Sequence, residues 1–200
     1  MKAPVLAAAA RILTGASIRW VDCEPDTRQR VYFANHTSHL DTLVLWAALP
    51  EKIRDLTRPA AARDYWEAGR LRFYLATKVF HAVLIERTNI TKETNPLDLL
   101  LNAMGDRYSL ILFPEGGRSL GAEIGEFKCG LYHLSRSRPD LDLVPVYMEN
   151  LNRVLPKGEF LPVPLLCRIT FGTPLRLRED EGKLAFLQRA RRAVSSLKEL

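Results

Sequence analysis

"RVYFANHTSHLDTLVLWAAL", residues 30–49, reads as a strand, a polar turn and a helix in immediate succession. The apolar run Val31-Tyr32-Phe33 is too short for a helix and is rich in strand formers, which predicts a buried strand over "RVYFAN". "HLDTLVLWAAL" has helical length and composition, with its start expected near His39 or Leu40. A strand feeding a helix through a tight turn is half of a βαβ unit. The same alternation continues along the chain. "DLTRPAAA", "HAVLIER", "YSLILF", "DLVPVYME" and "LLCRITFG" read as strands. "RDYWEAGRLRFYLATKVF", "NPLDLLLNAMGD", "GEFKCGLYHLSRSR" and residues 179–198 read as helices. The expected fold is therefore α/β: one domain with a mixed, largely parallel sheet flanked by helices.

Such sheets bind ligands beyond the carboxyl ends of their strands. Three polar clusters fall at those ends: Asn35–Asp41, Glu86–Arg87 and Pro114–Ser119. In the first, His36 and Asp41 lie five residues apart, about 500° on an ideal helix, so they cannot share a helical face. With His36 in the turn and Asp41 in the first helical turn, the carboxylate can reach back to the imidazole. It would then fix the tautomer and stabilise the charged ring, the arrangement of a general base. His39, two residues from Asp41, points elsewhere and is expected to be a turn or packing residue. A zinc reading of His36, His39 and Asp41 would supply three ligands, but the chain holds only four histidines. In the third cluster Pro114 stops a strand, and Gly116 and Gly117 permit backbone N–H groups to converge on an anion. Arg118 adds a charge that can grip phosphate. Glu115 is suited to accept hydrogen bonds from substrate hydroxyls. Arg87 and Lys128 suit a site that reads a phosphate and a hydroxyl.

The net charge of +6 favours an anionic partner, such as nucleic acid, acidic lipid or a phosphorylated substrate. Three isolated cysteines, Cys23, Cys129 and Cys167, form no CxxC pair and fit a reducing, intracellular compartment. Residues 1–20 read as a short amphipathic helix with Arg11 and Arg19 at its polar edge, either packed on the domain or seeking a membrane surface. No uncharged run there approaches the roughly 18 residues of a membrane span.

Together these residues resemble the glycerolipid acyltransferase family, typified by the 1-acylglycerol-3-phosphate acyltransferases. The family's NHxSxxD motif matches Asn35-His36-Thr37-Ser38-His39-Leu40-Asp41. Its second motif resembles Val83-Leu84-Ile85-Glu86-Arg87. FPEGTRS appears as Phe113-Pro114-Glu115-Gly116-Gly117-Arg118-Ser119, with Gly117 in place of Thr, and FKxG as Phe127-Lys128-Cys129-Gly130. The fourth motif is similar to Val144-Pro145-Val146, so the match spans roughly residues 31–148. The resemblance implies O-acyl transfer from acyl-CoA or acyl carrier protein to a lysophospholipid hydroxyl, most simply that of 1-acylglycerol-3-phosphate. It implies His36 as base and Asp41 as its orienter, with Arg87, Glu115, Gly116, Gly117, Arg118 and Lys128 as holders of the acceptor. Neither a cofactor nor a metal is implied, and no nucleic acid. Because the substrate is amphiphilic, a cytoplasmic protein attached peripherally to the inner, anionic face of a membrane is expected. Arg58, Arg63, Arg70, Arg72 and Lys78 surround an aromatic-bearing segment, residues 65–80, that could make this contact. Other acceptors remain open: glycerol-3-phosphate, another lysophospholipid or a lyso-aminolipid. A zinc hydrolase and a non-catalytic lipid-binding module are the remote alternatives.

Overall fold

The computed structural model describes residues 3–38, 40–86, 88, 91, 93–119, 123–150 and 167–199. The opening stretch forms β2 (Arg30–Ala34) and α2 (Asp41–Ala48). Around it stand α1 (Ala3–Thr14), β1 (Ser17–Trp20), α3 (Glu51–Arg54), β3 (Thr57–Ala62), α4 (Arg63–Glu67) and α5 (Arg70–Tyr74). A π-helical turn over Leu75–Val79 leads to β4 (Val83–Ile85), α6 (Pro96–Met104) and β5 (Ser109–Leu112). The chain continues through α7 (Gly130–Ser137), β6 (Asp142–Glu149), β7 (Arg168–Phe171) and α8 (Lys183–Ser196).

The strands form one sheet in the order β1-β7-β6-β2-β5-β3-β4. From β6 to β4 every neighbouring pair is parallel. β7 runs antiparallel to β6, and β1 parallel to β7. This is the mixed, largely parallel α/β sheet expected from the strand–helix alternation. β2 lies in the middle of it and is buried at every residue. Its alternating side chains serve two cores. Tyr32 and Ala34, with Ile111, Val144 and Val146, pack under α1, α2 and Phe80. Val31 and Phe33, with Leu110, Leu112 and Leu143, pack under α6, α7 and α8. Each fully buried Leu or Phe contributes about 1.5–3 kcal/mol, so the central strand is firmly seated between helical layers.

Several boundaries differ from the sequence reading. The helix expected over residues 1–20 stops at Thr14. Gly15 follows at φ 53°, and Ser17–Trp20 pairs along the edge strand β7. Trp20 stacks on Phe171 with ring centroids 3.9 Å apart, a contact that a continued helix would forgo. Arg11 does not sit at a polar edge. Its guanidinium caps the carboxyl end of α2, donating to the carbonyls of Ala47 and Leu49, the latter at 3.0 Å. The helix expected from Gly125 begins only at Gly130; the segment before it is tied to the 113–119 turn, with Gly125 N on Glu115 Oε2 and Lys128 N on Pro114 O. The segment 63–80 is broken at Gly69, whose extended backbone (φ −164°, ψ 139°) separates α4 from α5. The C-terminal helix starts at Lys183, following Gly182 in extended conformation, rather than at 179.

Candidate active site

Because β2, β3, β4, β5 and β6 are parallel, their carboxyl ends share one edge of the sheet, and the polar clusters meet there. Asn35 continues β2 past its last paired residue. Its buried side-chain amide accepts from Met148 N at 2.8 Å and donates to Met148 O at 2.9 Å, so a side chain extends the ladder to β6. His36 follows at the mouth of the turn. Its ring stacks on Phe113, centroids 4.4 Å apart and 24° between planes.

Asp41, the first residue of α2, is fully buried. Its Oδ2 lies 2.8 Å from His36 Nδ1 and accepts the N–H groups of Thr37 at 2.6 Å and Ser38 at 2.9 Å. One oxygen therefore both shapes the turn and holds the ring. With Asp41 ionised, Nδ1 carries the hydrogen and Nε2 is left as the basic nitrogen. Three donors on one oxygen also leave Oδ2 no lone pair for a metal. Oδ1 is buried with no hydrogen-bond partner among the described residues. Cys167 lies within the field of this carboxylate. Burial, and after it the Asp41 charge, push its thiol up to about 11, so it stays neutral at physiological pH.

The second cluster follows β5. Glu115 turns its carboxylate back into the protein: Oε1 accepts His36 N at 2.7 Å and Oε2 accepts Gly125 N at 2.8 Å. Ser119 N donates to His36 O at 2.8 Å, so the backbone of His36 is clamped on both sides by the 113–119 turn. Gly116 adopts φ 68°, where glycine is favoured, and its N–H closes the turn on Phe113 O. Lys128 lies across this glycine. A Cβ there would fall 2.7–2.8 Å from Lys128 Cδ, Cε and Nζ. Gly117 faces open space, so a hydroxyl-bearing side chain would fit. Gly117 and Arg118 are exposed, and neither donates a backbone hydrogen bond to a described residue. At the end of β4, Glu86 meets Arg63 at 3.7 Å. Arg87 and His39 lie outside the described residues. The sequence reading assigned no role to Phe113, and it named Asn35 only as part of a motif. An aromatic at a strand end and an Asn before a histidine carry no local signal of stacking or ladder extension.

The site thus holds a histidine bonded to a buried carboxylate on the rim of a parallel α/β sheet, beside a glycine turn with exposed cations. A family model described as "Acyltransferase" matches residues 22–149, and the chain belongs to that family. Among its relatives is a probable 1-acyl-sn-glycerol-3-phosphate acyltransferase of Mycoplasma pneumoniae, 34% identical over 101 residues, covering 48% of this chain and 36% of that protein. The 1-acyl-sn-glycerol-3-phosphate acyltransferase of Limnanthes douglasii is 26% identical, covering 76% of this chain and 52% of its own. The chain thus spans about half, or less, of the length of these curated relatives. In fold it matches the crystal structure of a 1-acyl-sn-glycerophosphate acyltransferase from Thermotoga maritima with a TM-score of 0.70 at 18% identity, covering 99% of this chain and 79% of that one.

Proposed function

We propose that the protein is an O-acyltransferase that moves a fatty acyl group from acyl-CoA or acyl carrier protein to a lysophospholipid hydroxyl. The acceptor that fits first is 1-acylglycerol-3-phosphate, giving phosphatidic acid. The observation that carries this is the His36–Asp41 pair, 2.8 Å apart with the carboxylate fully buried. His36 Nε2 takes the proton of the acceptor hydroxyl as its oxygen attacks the thioester carbonyl. The C–S bond then breaks, and the imidazolium returns the proton to the departing thiolate. No acyl-enzyme is needed, because the histidine acts only on protons. Asp41 stabilises the imidazolium between the two transfers.

Arg118 and Lys128 provide positive charge for the acceptor's phosphate, beside the N–H groups of Gly117 and Arg118, which pair with no described backbone carbonyl. Gly116 lets Lys128 lie close to the turn. Arg87, assigned from the sequence motif, and Glu115 complete the set of acceptor-holding residues. No described helix is long and apolar enough to cross a membrane. The protein works from the cytoplasmic side as a peripheral protein, drawing its acceptor from an anionic bilayer.

The test is thiol release from acyl-CoA against a panel of lyso-lipid acceptors, with product identified by mass. His36→Ala lowers turnover about a hundred- to ten-thousand-fold, the ordinary share of a general base, while His39→Ala costs far less. Equal loss in two folded variants would overturn the assignment of the base.

A further inference from the structure

Six large hydrophobic side chains stand exposed among the described residues, and three of them, Leu71, Phe73 and Tyr74, fall within α5. Leu71 is 71% exposed, Phe73 44% and Tyr74 45%. Of the other three, Val5 and Ile12 lie seven residues apart on one face of α1, and Leu184 stands alone on α8. Around the α5 trio, Arg70, Arg72 and Lys78 are exposed, and residues 70–79 contain no carboxylate. α1 presents no such cationic rim, since its Arg11 is turned inward to cap α2.

The local backbone explains why these side chains face out. Gly69 ends the preceding helix, and the π turn then inserts a wider step: Phe80 N donates to Leu75 O, five residues back, at 2.9 Å. That step turns Ala76, Val79 and Phe80 into the core while leaving Leu71, Phe73 and Tyr74 outside. Phe80 is held by Trp46 and Trp66 through edge contacts at 5.0 and 5.8 Å, which seats the base of the segment rigidly. The segment is also placed beside the site. α4 starts directly at the end of β3, and Arg63 at its head pairs with Glu86 at the end of β4. The patch therefore hangs from the same sheet edge that presents His36.

We propose that α5 and the following π turn form the membrane-docking face, with Leu71, Phe73 and Tyr74 entering the interface of an anionic bilayer and Arg70, Arg72 and Lys78 meeting its headgroups. An apolar patch rimmed by cations, on a segment (residues 70–79) that itself carries no carboxylate, has the complementarity of such a surface; of the exposed carboxylates on the neighbouring α4, Glu67 is paired with Arg63 at 3.7 Å. The inference rests on the reading of an amphiphilic acceptor, but it is tested without turnover, so that the two can fail separately.

The experiment uses the full chain with phosphatidylcholine vesicles, alone or mixed with phosphatidylglycerol. Binding strengthens with phosphatidylglycerol. The double variant Leu71→Ser/Phe73→Ser lowers partitioning about a hundredfold, and thermal melting of the same preparations shows that the fold is retained. Ile12→Ser and Leu184→Ser leave it unaltered. In a second arm, Phe73→Trp fluorescence is quenched by brominated lipid beyond the quenching of the parent's own three tryptophans. Absence of vesicle binding, indifference to the double variant, or a bound but unquenched Trp at 73 would each overturn the proposal. So would sedimentation showing that the patch pairs two copies of the chain.

Discussion

Replacing Asp41 by Asn tests the centre of the mechanism with the least change in shape. In the parent, Oδ2 accepts from Thr37 N, Ser38 N and His36 Nδ1 at 2.6, 2.9 and 2.8 Å. An asparagine placed with its amide oxygen at the Oδ2 position keeps all three acceptances. Its NH₂ then occupies the Oδ1 position, which is buried and has no partner among the described residues. Leaving that donor unsatisfied costs about 1–3 kcal/mol, a fall in melting temperature of about 2–4 °C for each kcal/mol in a domain of this size. Catalysis should suffer more than folding. The neutral amide cannot stabilise the imidazolium, so turnover falls about a hundred- to ten-thousand-fold, or roughly 2.7–5.4 kcal/mol at 1.36 kcal/mol per decade. Asp41→Ala serves as the contrast. It strands the N–H groups of Thr37 and Ser38 as well, so it destabilises more than Asn does for a similar loss of rate. The assay pairs thiol release from acyl-CoA with thermal melting of the same preparations. A folded Asp41→Asn protein retaining more than about a tenth of parental turnover would refute the role of the carboxylate.

Glu115→Gln separates holding the acceptor from holding the base. One amide oxygen cannot accept both His36 N and Gly125 N, so a charge-assisted bond worth about 1.5–3 kcal/mol is lost. If the carboxylate chiefly positions His36, kcat falls about tenfold or more with KM for the acceptor unchanged; a raised KM at constant kcat would instead make it an acceptor ligand. The pH dependence of stability has one clear contributor in Glu181. Its hydrogen bonds from Arg189 hold its pKa below the ordinary 4.5. A lowered folded pKa stabilises the fold above the unfolded value and ceases to do so as pH falls through the folded one. Glu181→Gln should therefore lower the melting temperature by about 2–4 °C near neutral pH, for a pair worth at most about 1 kcal/mol, and the difference should vanish in acid. A difference that persisted or grew in acid would contradict the assignment.

The sheet's central strands were legible because their signal is local. "VYF" and "LILF" are apolar at every position, as strands covered on both faces must be. β1 was not legible, since Ser17-Ile18-Arg19-Trp20 is half polar and becomes a strand only through β7, which lies about 150 residues further on. The same limit applies in the site. The proximity of His36 and Asp41 could be read from a spacing of five residues. The engagement of Glu115 by His36 N spans 79 residues, so the residue read from type as a hydroxyl acceptor carries bonds no local pattern announces. In residues 63–80 the helical period was real, yet Gly69 and the π turn changed its phase. Trp66 and Phe80 pack together, while Phe73, seven residues from each and on their side of an unbroken helix, faces outward.

Two carboxylates from different strand ends thus divide the placement of one histidine. Asp41 fixes the ring through Nδ1, and Glu115 fixes the backbone through the N–H of the same residue. The second contact depends on the pairing of β2 with β5, in which Phe33 stands beside Leu112. A slip of one residue in that register would turn the side chains of β2 to opposite faces and carry His36 away from Glu115. The two cores resist such a slip, because Val31 and Phe33 would exchange places with Tyr32 and Ala34 in layers already filled. The placement of His36 is therefore a property of the sheet's packing. The tip of the turn is less constrained: Gly117 and Arg118 lie exposed between its two contacts with His36, at Glu115 and Ser119. A substitution at Gly117, where the family's motif has threonine, leaves both contacts to His36 in place, because nothing lies within 4 Å of a Cβ there.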